Sequence, residues 1–137
     1  MKKHLWQITA LLAALLLSSS AFAQSKGGNL VVDVPFSFTI ADHTFPAGRY
    51  TVQHMGDAVL QIVGADSQSA LVMTNRVERS AKESSRKMVF HRYDNVYFLS
   101  EVWDAPVSIG RKVPRTRAEK KLEETGDERK IATLLIP

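Results

Sequence analysis

The chain contains no cysteine. That excludes disulfides, thiolate nucleophiles, zinc–thiolate and iron–sulfur sites, and a lipid anchor attached through a leader cysteine. Long apolar runs are scarce too. The one present, Leu5 to Leu17, stops at about 13 residues, where a spanning helix needs roughly 20. A Gly-rich phosphate loop is missing: Gly27-Gly28 sits in a polar stretch, and nothing reads G-x-x-x-x-G-K. His43, His54 and His91 show neither the H-x-H nor the H-x-x-x-H spacing that sets two ligands on one face. No metal site and no cofactor are therefore expected.

What the first residues do contain is a signal peptide. Lys2 and Lys3 precede the apolar run, Ser18 to Ser20 end it, and Ala21-Phe22-Ala23 is an A-x-A cleavage site before Gln24. Cleavage between Ala23 and Gln24 predicts a periplasmic or secreted protein with no stable membrane anchor. Removing 23 of 137 residues leaves 114, one domain of chain. Lys2 and Lys3 leave with the signal, so the formal +4 falls to about +2. That balance excludes the strongly basic surface expected of a nucleic-acid partner.

The mature chain reads as β structure. Residues 24–29 form a polar, Gly-containing leader, and 30–137 a single β-rich domain. Val32, Val34, Phe36, Phe38 and Ile40 alternate with Asp33, Pro35, Ser37 and Thr39, a half-buried strand with an edge position or a bulge at Pro35. Arg49 to Met55 turns Tyr50 and Val52 inward, and Ala58 to Val63 and Ser69 to Thr74 are further strands. Asn75 to Arg86, polar and without apolar period, reads as an exposed loop.

Lys87 to Tyr93 and Val96 to Trp103 make a hairpin around Asp94-Asn95, pairing Tyr93 with Val96, Arg92 with Tyr97, His91 with Phe98 and Phe90 with Leu99. Strict alternation puts Val89, His91, Tyr93, Val96, Phe98 and Val102 on one face. Met88, Phe90, Leu99, Trp103, Arg92, Tyr97 and Glu101 fall on the other. A short helix follows over about 116–124, with capping-box spacing between Thr116 and Glu119, an apolar stripe of Ala118 and Leu122, a Lys120–Glu124 pair, and Gly126 as its stop. A last strand covers about 130–136. The fold predicted is mainly β: one small antiparallel β-barrel or β-sandwich with a short C-terminal helix, preceded by a signal-peptide helix. Its strands are mostly too short for a membrane barrel.

Val34-Pro35-Phe36-Ser37-Phe38, then Pro46-Ala47-Gly48-Arg49-Tyr50-Thr51-Val52, then the hairpin Val89 to Tyr93 and Tyr97 to Trp103, carry a pattern. It resembles an uncharacterised family of small exported bacterial proteins that pair a V-P-F-x-F strand with a P-A-G-x-Y-x-V strand. The resemblance spans roughly Asn29 to Leu122. It implies export and a β-rich fold and brings no active site.

The residues leave three functional readings. The first is a non-enzymatic binding or structural module for a protein or small-molecule partner. His91, Phe98, Tyr97, Arg92 and Trp103 on the hairpin are its candidate ligand contacts, with Arg92 placed for a cation–π contact on Tyr97. The second is a lipocalin-like carrier of a small apolar ligand in a cavity bounded by Phe36, Phe38, His91 and Phe98. The third is a small hydrolase using His91 with Ser100 as nucleophile and Asp94 as orienter. A strand serine has no strained elbow and no neighbouring oxyanion donors, so no catalytic residue is assigned. Arg111, Lys112, Arg115 and Arg117 are the densest charge cluster and suit contact with an anionic surface. The neighbouring Glu119, Glu123 and Glu124 make a solvated start to the helix the plainer reading.

Overall fold

The computed structural model describes residues 29–79, 85–104 and 109–137. The signal peptide, its cleavage site at Ala23 and Gln24, and the leader up to residue 28 lie outside the described residues. The alternation from Val32 to Ile40 does build strand, but Pro35 divides it. β1 (Leu30–Val34) and β2 (Phe38–Ile40) keep the same inward set, with Val32, Val34, Phe38 and Ile40 all buried. They lie in different sheets, because Pro35 cannot donate to a ladder and the chain crosses over there. At Ala41 and Asp42 positive φ values of 47° and 67° make a tight turn into β3 (His43–Phe45).

β4 (Gly48–His54), β5 (Val59–Gly64) and β6 (Ser69–Met73) complete an antiparallel sheet in the order β1-β4-β5-β6. The second sheet runs β11-β8-β9-β10-β7, from β7 (Asn75–Glu78), β8 (Lys87–Tyr93), β9 (Val96–Trp103), β10 (Ile109–Lys112) and β11 (Arg129–Leu135). β2 joins it beside β9, and β3 beside β2. The two sheets pack face to face and neither closes on itself, so the fold is a sandwich rather than a barrel. β7 replaces part of the expected loop over 75–86, and β10, which the basic cluster hid, pairs with it through Lys112 and Asn75.

Between the sheets Phe36, Phe38, Phe45, Tyr50 and Phe90 pack ring on ring. Phe38 meets Tyr50 at 5.0 Å and Phe90 at 5.6 Å, both edge-on. Leu60, Ile62 and Met88 beside them are fully buried. Each such side chain contributes about 1.5–3 kcal/mol through removal from water, and each aromatic pair about 0.5–1.5 kcal/mol more.

The hairpin pairs as the two-residue loop requires, from Tyr93–Val96 to Phe90–Leu99. Strict alternation then fails. Val89 pairs with Glu101 while Phe90 pairs with Leu99, so Ser100 is an extra residue in a β-bulge. The bulge reverses the parity of everything after it. Val102 therefore faces the core opposite Met88, whereas Glu101 and Trp103 turn to the other face, where Ser100 also points.

That outer face is covered in part by α1 (Arg117–Glu124). Thr116 Oγ1 accepts from the Glu119 N–H at 3.1 Å, and Gly126, at φ 88°, lets the chain leave the last turn. Among the described residues no helix is long and apolar enough to cross a membrane.

Candidate functional site

α1 is too polar to be held by an apolar stripe. Ala118 is exposed and Leu122 only half-buried, which corrects the stripe expected from their spacing. The helix residue that goes under is Glu119, at 2% exposure. In a full capping box its carboxylate would return to the N-cap amide. Here only the backbone half of the box forms, and the carboxylate reaches down to the sheet instead. Glu119 Oε1 sits 2.5 Å from His91 Nδ1, and the Tyr93 hydroxyl donates to the same oxygen at 3.1 Å.

The far side of the imidazole is satisfied by the bulge, with Ser100 Oγ 3.0 Å from His91 Nε2. An ionised carboxylate only accepts, so Nδ1 carries a proton, and the serine hydroxyl, which can donate or accept, completes Nε2. Val113 closes the end of the row, its N–H donating to the Ser100 carbonyl at 2.7 Å. A second carboxylate continues the network outward. The Tyr93 hydroxyl also donates to Glu123 Oε1 at 2.8 Å, while Arg115 and Arg129 donate to Glu123 at 2.5 and 3.4 Å.

Burial pushes the Tyr93 phenol well above its ordinary range, reinforced by its hydrogen bond to Glu123 and the charge of Glu119. The Tyr93 hydroxyl holds the Glu123 carboxyl below the ordinary range, helped by Arg115 and Arg129.

Beside this buried row lies an open cleft of about 560 Å3. His91 forms part of its floor. Lys112 from β10, Arg115 from the following loop, Lys120 from α1 and Arg129 from β11 surround it, with Glu101 between them. The expected Lys120–Glu124 pair is not formed. Among the described residues Lys112 and Lys120 have no ion-pair partner, and Glu101 accepts instead from the Trp103 indole N–H at 2.8 Å.

The five candidate ligand contacts do not converge. His91 lines the cleft. Phe98, 2% exposed, lies edge-on to Tyr93 and borders an apolar groove beneath Leu122. Trp103 is buried, its ring lying over Gly110 and under the Arg79 guanidinium at 4.7 Å. Tyr97 stacks on Phe36 at 3.9 Å on the opposite face of the hairpin. Arg92 does lie over Tyr97, at 5.4 Å, and bonds the Asp94 carbonyl.

Asp94 is thus a turn residue, and Glu119 holds the position beside His91 that Asp94 was expected to fill. Of the basic cluster, Lys112 and Arg115 reach the cleft, Arg111 stands opposite Val102, and Arg117 is exposed on the first turn. His43 is exposed and His54 half-buried, and among the described residues no group of His, Asp and Glu is placed to hold a metal ion. No family model, curated protein or solved structure matches the chain.

Proposed function

We propose that the mature chain is an exported, non-enzymatic binding module of the periplasm or the cell exterior, with its ligand taken on the α1 side of the second sheet. The observation that carries this reading is a contrast in access. The reactive-looking row is shut, with Ser100, His91 and Glu119 at 4, 8 and 2% exposure, while the cleft beside it is open and charged. Such a cleft suits a bound molecule, and neither Ser100 nor Glu119 is among the residues that line it. The carrier reading has less support, because Phe36 and Phe38 pack against Phe90 and are separated from His91 and Phe98 by the thickness of the hairpin. The space it needs is occupied by rings.

The test is to express the full chain, collect the exported product and analyse it by native mass spectrometry. A chain beginning at Gln24 that retains a small molecule is expected. A product retained in the cytoplasm with its first residues intact would overturn export, and a product that carries no molecule even from concentrated cell extract would overturn ligand binding.

A further inference from the structure

We infer that the cleft bounded by Lys112, Arg115, Lys120 and Arg129 is a site for a phosphate-bearing ligand, a deduction that rests on the binding-module reading above. Four cations meet there; among the described residues Glu101 is the carboxylate in the lining, with Glu123 bound to Arg115 and Arg129 and Glu119 buried against His91. Glu101 is already engaged by Trp103, and Glu123 is shared among Tyr93, Arg115 and Arg129. The ammonium groups of Lys112 and Lys120 are exposed and have no ion-pair partner among the described residues. Like charges gathered around one concavity repel, and an anion entering between them removes that repulsion.

Arg115 and Arg129 are held in place through Glu123, each by one bond. A guanidinium has five N–H donors, so both keep donors for an incoming oxygen. Two guanidinium groups, each tethered by one bond to Glu123, together with two ammonium groups suit an anion of several oxygens and more than one charge. A phosphate monoester carries about −1.5 to −2 at neutral pH and meets that demand, whereas a single carboxylate leaves one of the two lysines uncompensated. The cleft, at about 560 Å3, falls within the range of small-molecule sites. His91, with both ring nitrogens engaged, forms a fixed floor.

The probe is inorganic pyrophosphate, titrated calorimetrically into the exported protein. Binding is expected, weakening as salt is raised. The double variant K112Q/K120Q is expected to bind about tenfold more weakly, a loss of about 1.4 kcal/mol, with an unchanged melting temperature because both side chains are exposed. Arg49→Gln, on the other sheet, serves as the control and keeps full affinity. Co-sedimentation with phosphatidylcholine vesicles containing phosphatidic acid, a lipid phosphate monoester, separates the sources. Pyrophosphate-competed sedimentation means a lipid-borne phosphate, and no sedimentation with intact pyrophosphate binding means a soluble ester.

Absence of pyrophosphate binding, or binding equal in K112Q/K120Q and in the unchanged protein, overturns the site. If K112Q/K120Q still retains a co-purified molecule, the cleft assignment alone has failed. If neither protein retains a molecule or binds pyrophosphate, the binding-module reading fails with it.

Discussion

Glu119 Oε1 lies 2.5 Å from His91 Nδ1, and this contact ties the first turn of α1 to the middle of β8. The pair takes the place of a hydrophobic seam, because the buried side chain of α1 is an acid. Glu119→Ala leaves the His91 Nδ1–H and part of the bonding of the Tyr93 hydroxyl unsatisfied under the helix. Each orphaned buried group costs about 1–3 kcal/mol, so a loss of about 2–4 kcal/mol is expected in urea unfolding. Glu124→Ala, on the exposed side, changes stability by no more than about 0.5 kcal/mol. Equal midpoints for the two variants would show that the contact does not hold α1 down.

The same network fixes how stability responds to pH. Glu123 has its folded value depressed by Tyr93 and the two arginines, so its contribution is complete above the ordinary glutamate value of 4.5 and is lost as pH falls through the folded value. Tyr93 has its folded value raised, so its contribution is complete below the ordinary tyrosine value of 10.0 and is lost as pH climbs above it. Melting temperatures followed by circular dichroism are expected to be flat between these limits and to fall on both sides. Tyr93→Phe removes the alkaline fall, and Glu123→Gln flattens the acid one. Asp33, paired with Arg49 on the exposed face of the other sheet, adds an acid response of its own, which screening by salt suppresses.

Much of this architecture is legible in the sequence. Alternation from Val32 to Ile40 marks the inward residues correctly, the Asp94-Asn95 loop sets the register to Phe90–Leu99, and Thr116 and Gly126 mark the helix ends. Three features are hidden, each for a physical reason. A bulge adds one residue without any local signature, so the faces of Val102 and Trp103 exchange. The sheet change at Pro35 is written only as a missing donor. Glu119 and Glu123 look like a solvated helix face because a buried acid is read as exposed until its partners, 26 to 30 residues away, are known. One clue was present: His91 and Tyr93 share a face with Ser100, a polar patch under an expected helix that needs a polar partner.

Trp103 and Gly110 form a second close relationship. A Cβ built on Gly110 would lie 2.6 Å from the indole, closer than real atoms approach. The ring lies directly over the glycine, and Arg79 caps its other face. Gly110→Ala must displace the ring or the β9–β10 pairing, at about 1–3 kcal/mol. A chain beginning at Gln24 holds Trp103 as its single tryptophan, since Trp6 lies before that point, and its fluorescence reports the change directly. A red-shifted emission and a lower urea midpoint are expected, and an unchanged spectrum would place the indole elsewhere.

Ser100, His91 and Glu119 repeat the order hydroxyl, imidazole, carboxylate that activates a serine nucleophile, with spacings of 3.0 and 2.5 Å. Spacing is only one requirement. The attacking oxygen must also reach an acyl carbon, and donors must await the oxyanion that forms. Ser100 is 4% exposed, sits in a bulge rather than on a strained elbow, and lies beneath α1. Its carbonyl is engaged by Val113. A fluorophosphonate reagent reports all of this at once, because it reacts only with an activated and reachable serine. No adduct on Ser100 is expected, and Ser100→Ala is expected to cost about 1 kcal/mol through the lost bond to His91. An adduct mapped to Ser100 and abolished by His91→Ala would mean that α1 lifts to admit substrate. The row would then be catalytic, and the chain a hydrolase.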